Sequence, residues 1–242
     1  MLCVFSMLYI VATPIGNLND ISPRAISALS SSDIILAEDT RVTRVLLSKY
    51  GIDKPMLSYH QYSKVQKMNE IIRLLKEGKT LSLVSDAGTP GINDPGNFLI
   101  QEILKELSDL KIVPIPGPNA AITALSVSGF PADKFVFLGF PPHKKGRRTF
   151  FKMIGQVEET VVFYESKHRI LKALKELMEL SMLNSRPIMV ARELTKQFET
   201  IYRGTVDEVL ENLNKTKVLG EFVVVVSPTN YKSTRITNST NY

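Results

Sequence analysis

Hydrophobic and polar positions in the first half of the chain follow a strand–helix rhythm. Leu8–Ala12 is a short apolar run that ends at Thr13-Pro14 and reads as a buried first strand. Ser22-Pro23 supplies an N-cap and a first helical position for a helix to about Leu29. Asp33–Ala37 is the next strand. Thr40–Tyr50 then places Val42, Val45, Leu46 and Leu47 at helical spacing and stops at Gly51. Met56–Tyr59 reads as a strand, Ser63–Glu77 as an amphipathic helix ending at Gly78, and Thr80–Ser85 as a strand. Asp94-Pro95 opens a helix to about Leu107, followed by a strand over Lys111–Ile115 and a helix of small residues over Pro118–Val127. This alternation predicts an α/β fold whose N-terminal half is a mostly parallel sheet.

The second half changes character. Strands are expected at Phe135–Phe140, Thr160–Tyr164, Ile188–Leu194, Glu199–Gly204 and Glu221–Val226, with two clear helices between them, Lys167–Leu180 and Thr205–Leu213. Strands that follow one another directly indicate a mixed sheet. The turn-rich GFPAD stretch suggests an N-terminal α/β domain over residues 1–129 and a C-terminal mixed α/β domain over 130–227, with 228–242 a polar tail rich in Ser, Thr and Asn.

Composition narrows the options. Hydrophobic residues make up 44% and charged residues 22%, which permits a packed core without disulfides or metal. Cys3 is the one cysteine, and His60, His143 and His168 lie far apart, so neither a disulfide framework nor a metal site is expected. Residues 1–110 hold 11 Lys+Arg against 12 Asp+Glu, whereas residues 111–242 hold 19 against 12. That asymmetry points to a polyanionic partner for the second half, or to an ordinary solvated surface. The apolar start MLCVFSMLYIVA lacks a preceding basic segment and is too short to span a bilayer, and no later segment is a membrane candidate, so a cytoplasmic protein is expected. Met7 is a second candidate start, with Met1–Ser6 then a leader.

Candidate chemistry begins with three Gly/Pro-rich loops at strand ends: Thr13–Leu18, Ser85–Gly91 and Pro116–Ala121. Each alone is explained by turn chemistry. Together they favour a ligand outside the carboxyl ends of an open sheet. A dinucleotide fingerprint is absent, and Asn97-Phe98 stands where a phosphate loop needs Lys-Ser/Thr. Adenine, ribose and an amino-acid carboxylate can be held by backbone groups and one acid, which suits Asp86.

Seven blocks then occur in order: TPIGNLNDIS, ILAEDTRVTRVLL, VSDAGTPGINDPG, PGPNAAITAL, FLGFPPHKKGRR, FYESKHRI and ARELTKQFE. They resemble the ribosomal RNA small subunit methyltransferase I family, a branch of the tetrapyrrole methylase fold, from about Leu8 to Val226. The resemblance implies two α/β domains, S-adenosylmethionine as methyl donor in the cleft between them, and a homodimer. It also implies 2'-O-methylation of a cytidine ribose in the decoding centre of 16S ribosomal RNA in the small ribosomal subunit. By similarity the cofactor contacts fall on Ile15, on Asp86, Ala87, Gly88 and Thr89, on Asn119 and Ala120, and near Tyr164 and Ala191. The chain departs from the family at Lys167, where proline is usual, and lacks the further C-terminal segment of many relatives, with any RNA contact that segment makes.

Methyl transfer from a sulfonium is an in-line displacement that needs alignment of the acceptor oxygen and loss of its proton. Glu38, Asp39, Glu165, Glu193 and Lys196 are the candidates to frame the acceptor hydroxyl, with the base unassigned among them. Asp39 or Thr40 alternatively caps a helix, and Glu165 alternatively pairs with Arg192. For RNA, Arg41 and Arg44 share a helix face, and Lys144, Lys145, Arg147 and Arg148 form the densest basic run. Phe150 and Phe151 are assigned mostly to core. Two other readings are a tetrapyrrole methylase of the same fold and a non-catalytic RNA-binding module. The basic run and the RELTK block argue against the first, the intact SDAGTP and PGPNAA loops against the second.

Overall fold

A computed structural model describes residues 6–60, 65–94, 96–180 and 186–231. The first five residues of the suggested leader, the start of the helix expected from Ser63, Pro95 and the tail from 232 lie outside the described residues. The chain divides into two compact units, Met1–Asn119 and Ala120–Tyr242.

The first unit holds a parallel sheet in the order β3-β2-β4-β1-β5. Its strands are β1 (Met7–Val11), β2 (Ile34–Ala37), β3 (Met56–Ser58), β4 (Leu81–Val84) and β5 (Lys111–Ile115). The intervening helices are α1 (Pro23–Ser31), α2 (Thr40–Lys49), α3 (Val65–Lys76) and α4 (Gly96–Glu106). Alternate strand residues face opposite ways, and both faces are covered. Val11, Ile35, Ala37 and Val84 pack with Ala25, Leu29, Leu46 and Leu47 of α1 and α2. Leu8, Leu36, Leu81 and Leu83 pack with Ile71, Leu75, Leu99 and Ile103 of α3 and α4. Right-handed crossovers require this division, because the chain runs one way along the sheet from β1 to β3 and the other way from β3 to β5. The adjacent strands β1 and β4 therefore send their connections to opposite faces, and their carboxyl ends form the topological switch point where open α/β sheets bind ligands.

The second unit starts with α5 (Ala120–Ser128), which packs on β7 and β10 of its own sheet. This places the division at Asn119, ten residues before the one expected from the GFPAD turn. Gly129, at φ 78°, ends the helix rather than the unit. The sheet order is β6-β7-β10-β8-β9, with β6 (Phe135–Phe137), β7 (Thr160–Ser166), β8 (Ile188–Arg192), β9 (Thr200–Gly204) and β10 (Glu221–Val226). β6 and β7 are parallel and the remaining pairs antiparallel, so the mixed sheet is as expected. Helices α7 (Ile170–Met178) and α8 (Val206–Asn214) match the two expected, whereas α6 (Arg147–Gln156) shows in the sequence only as helical spacing of Phe150, Phe151, Met153 and Ile154, with no start signal. Its N-cap is Gly146 in the left-handed region, with no side-chain cap, and two arginines open its first turn against the helix dipole. Phe150, Phe151 and Ile154 of α6 join the core, as assigned for the two phenylalanines. The segment after β10 is held at its start: the Thr229 amide donates to Glu158 O at 3.0 Å, and Tyr231 packs edge-on against Phe130.

Candidate active site and basic surface

In the first unit the three small-residue loops are interlocked. Thr13 and Gly88 exchange backbone hydrogen bonds of 2.9 and 3.1 Å, which ties the β1 loop to the β4 loop across the switch point. The buried Thr13 hydroxyl donates to Ser85 O at 3.1 Å, and the Thr89 hydroxyl donates to Pro118 O at 3.1 Å, bringing in the β5 loop. Gly88 sits at φ +86°, where a Cβ would lie 3.4 Å from the Ile15 side chain. A Cβ at Gly117 would lie 3.0 Å from that of Ala12. The sequence thus leaves these loops without side-chain bulk where they converge. Asp86 and Ala87 are exposed beside this cradle, and Ile15 is buried beneath it.

The β2 loop joins from the other side. Asp86 Oδ1 accepts the Asp39 amide at 2.9 Å. Asp39 itself caps α2, accepting the Arg41 amide at 2.8 Å, and its carboxylate pairs with the Arg41 guanidinium. Hydrogen bonds from Arg41 hold Asp39 down at a pKa of about 2. The capping alternative weighed for Asp39 is thus the one its contacts fill. Arg41 is engaged with it, and Arg44 is exposed on the same helix. Glu38 differs: burial, then the charges of Asp86 and Asp94, raise its pKa above the ordinary glutamate value, with His60 opposing. Asp94 is raised too, by burial first and then by Asp86, against a Ser85 hydrogen bond. Asp94 was read only as a helix opener. Nothing in its spacing showed that the β4 loop would fold back beside Glu38.

The second unit redistributes the remaining candidates. β7 runs through Ser166, so Glu165 is a buried strand residue rather than an acid past the strand's end. Its oxygens meet Arg147 Nη1 at 3.3 Å and Arg169 Nε at 3.1 Å. Arg192, the partner weighed from sequence, donates instead to Leu219 O at 2.8 Å. Arg147 is 4% exposed, which removes it from the exposed basic run. Its Nε donates to Glu176 at 2.8 Å, and its guanidinium lies 5.0 Å from the Phe151 ring centre. Nη2 approaches Glu176 Oε2 to 2.7 Å without hydrogen-bond alignment, so that contact is an ion pair only. Lys144, Lys145 and Arg148 remain exposed, as do Lys167 and His168 on the turn after β7. The i,i+4 spacing of Glu165 and Arg169 was the signal available in the sequence for this cluster.

Tyr164 accepts the Ala121 amide at 3.2 Å at the start of α5 and packs against Phe137 and Phe140. Ala191 is fully buried within β8, paired with Val223 and Ile201. Glu193 and Thr195 adopt positive φ, 52° and 64°, and a Cβ at Gly220 would overlap the Glu193 carboxyl. Burial pushes Glu193 up, but Lys196, the Glu221 amide and Arg192 hold it below its ordinary value. Burial likewise pushes Lys196 down, but Glu221 and Glu193 outweigh it and raise the ammonium. Lys196 Nζ lies 3.0 Å from Glu193 and 2.9 Å from Glu221. A carboxylate lowered and a lysine raised are both poorly suited to accept a proton. Among the described residues no group of three or more His, Cys, Asp or Glu is arranged to hold a metal ion.

Residues 7–210 match the profile of the Tetrapyrrole (Corrin/Porphyrin) Methylases. The chain belongs to that family. Within the tetrapyrrole methylases, this member is 46% identical over 220 residues to the ribosomal RNA small subunit methyltransferase I of Thermotoga maritima, covering 91% of this chain and 97% of the relative. The enzyme of the same name from Escherichia coli O157:H7 is 46% identical over 224 residues, covering 90% of this chain and 77% of the relative. The fold is shared with the methyltransferase CobJ, at TM-score 0.69 and 18% identity, covering 94% and 96% of the two chains. Uroporphyrin-III C-methyl transferase from Thermus thermophilus, solved with S-adenyl homocysteine, aligns at TM-score 0.64 and 16% identity, covering 93% and 98%.

Proposed function

We propose that this chain transfers a methyl group from S-adenosylmethionine to the ribose 2'-hydroxyl of a decoding-centre cytidine in 16S ribosomal RNA. The observation that carries this reading is the 46% identity, over nearly the whole chain, to proteins named ribosomal RNA small subunit methyltransferase I. The further assignment as a homodimer acting in the cytoplasm on the small ribosomal subunit belongs to the same proposal. Exposed Val42 and Val45 on α2 offer apolar surface for a subunit contact.

The first unit fits the cofactor on its own geometry. Gly88 and Gly117 let the loops close on one another, since a Cβ at either would press on Ile15 or Ala12, and the exposed Asp86 carboxylate suits ribose hydroxyls or an amino group. We assign cofactor contacts there to Ile15, Asp86, Ala87, Gly88 and Thr89, continuing to Asn119 and Ala120. Tyr164, near the start of α5, is kept as a contact through its hydroxyl. Any contact at Ala191 runs through its backbone, since its side chain is buried. When bound, the cofactor supplies a methyl group activated by its sulfonium charge.

Of the acids considered from sequence, Glu38 is the one whose surroundings strengthen it as a base. Asp39 is spent as a cap, Glu165 in ion pairs, and Glu193 with Lys196 in a salt-bridged turn. Glu38 would accept the proton that the acceptor hydroxyl gives up in exchange for the methyl group. Lys144, Lys145 and Arg148, with Arg44, hold RNA phosphates. Mapping ribose methylation in 16S RNA by mass spectrometry tests this function. Cells lacking the gene should lose one cytidine methyl, and a plasmid copy should restore it. An unchanged methylation map refutes the proposal.

A further inference from the structure

Pro141-Pro142 opens the basic loop and has no amide hydrogens, so sheet pairing cannot fasten it. The last rung is the Tyr164 amide donating to Gly139 O at 2.9 Å. Beyond it, two carbonyls are the handles. Arg169 Nη1 donates to Pro141 O at 3.2 Å, and Arg147 Nη1 donates to Pro142 O at 3.3 Å. Both guanidinium groups converge on one carboxylate, that of Glu165, whose side chain is wholly buried. Glu165 Oε1 also accepts the Ser166 amide at 2.7 Å, and Ser166 Oγ accepts from Arg169 Nε at 3.2 Å. A single buried carboxylate thus joins the loop carrying Lys144 and Lys145, with Arg148 in the first turn of α6, to the turn carrying Lys167 and His168.

A buried ion cluster is a poor way to gain stability, because desolvation consumes most of the Coulombic gain. Apolar packing was available here, since Phe151 and Ile170 line the same region. What the cluster supplies is direction: planar guanidinium forks fix two carbonyls at the start of the loop, where the prolines have no amide hydrogen to donate. We infer that Glu165 is a positioning residue for RNA capture, which through Arg147 and Arg169 holds the basic loop and the 166–169 turn as one phosphate-gripping surface that includes Lys167. The inference rests on the RNA reading given above.

The test measures methyl transfer to small ribosomal subunits prepared without the modification, with cofactor affinity determined separately. Glu165→Gln should raise KM for the subunits about five- to tenfold. Its kcat at saturating subunits and its cofactor Kd should stay within about twofold of the parent. Glu165→Asp, which keeps the charge, should recover part of the loss. Arg169→Gln leaves the Arg147–Glu165 pair intact and should show the same KM effect more weakly, so it decides the matter should Glu165→Gln fail to fold. A fall in kcat at unchanged KM would overturn the inference, placing Glu165 at the reacting centre. Unchanged KM in these variants, when charge reversal of Lys144, Lys145 and Arg148 does weaken binding, also overturns it but leaves the RNA reading standing. If that charge reversal has no effect, the RNA reading falls and this inference with it.

Discussion

Glu38 and Gly88 show what individual residues contribute. Glu38→Gln keeps the shape of the side chain and removes the base proposed above, so kcat should fall about 10²- to 10⁴-fold in a single-turnover methylation assay. The stability of that variant should not fall. The folded-state pKa of Glu38 is raised, so its favourable contribution is full below its unfolded pKa and is lost as pH rises through the folded value. At neutral pH the ionised form is therefore the costly one, and the variant should melt at or above the parent temperature. For the same reason the acid limb of kcat against pH should lie above the ordinary glutamate range and vanish in the variant. Gly88→Ala meets both a left-handed backbone and the Ile15 side chain. It should destabilise the protein by about 1 kcal/mol or more in denaturant titration and weaken cofactor binding in calorimetry. The sequence marked both positions. It gave no ranking among four candidate acids and a lysine, because the ranking depends on neighbours such as Asp94 that are brought up by the fold.

Between elements, the most informative connection is Arg186. It is 3% exposed, and among the described residues no carboxylate pairs with it. Its guanidinium donates to Ser227 O at 2.7 Å, to Ile154 O and Val157 O at the end of α6, and to Glu159 O before β7. Burial lowers its pKa. One side chain thus ties together the exit of β10, the end of α6 and the entry of β7. Arg186→Ala leaves buried carbonyls without donors and should cost about 3 kcal/mol, read as a lower denaturant midpoint. By contrast, Thr205 and Glu208 form a capping box on α8, and Thr205→Ala should cost about 1 kcal/mol in the same measurement. The capping box lies within four consecutive residues, although the helix expected from the sequence includes Thr205 rather than using it as the cap. The Arg186 connection spans three segments far apart in the chain, which no local pattern can show.

Over the whole molecule, charge separates by unit. Residues 1–119 carry 12 Lys+Arg and 12 Asp+Glu, while residues 120–242 carry 18 and 12, so the net +6 belongs to the second unit. RNA affinity should therefore fall steeply with salt, by about 0.7 in log–log slope for each phosphate contacted on a single strand. Cofactor affinity, resting on backbone groups of the first unit, should change little across the same range. Equal salt sensitivity of the two, measured side by side, would argue against this assignment of labour.

Local pattern sufficed for the rhythm of strands and helices, the small-residue loops and the basic run, because a strand's period, a cap and a turn are set by residues within a few positions of one another. Gly129 ends a helix that packs on β7 and β10, strands further along the chain, and α6 begins without a side-chain cap, so neither the start of the second unit nor the start of α6 is marked locally. Tertiary packing alone decided the fate of each charge. Arg147 and Glu165 look like surface chemistry in the sequence, yet they are buried together, while Glu38 is singled out by burial and then by two acids from another loop. Electrostatic character depends on burial and on neighbours in space, and neither is fixed until the chain has folded.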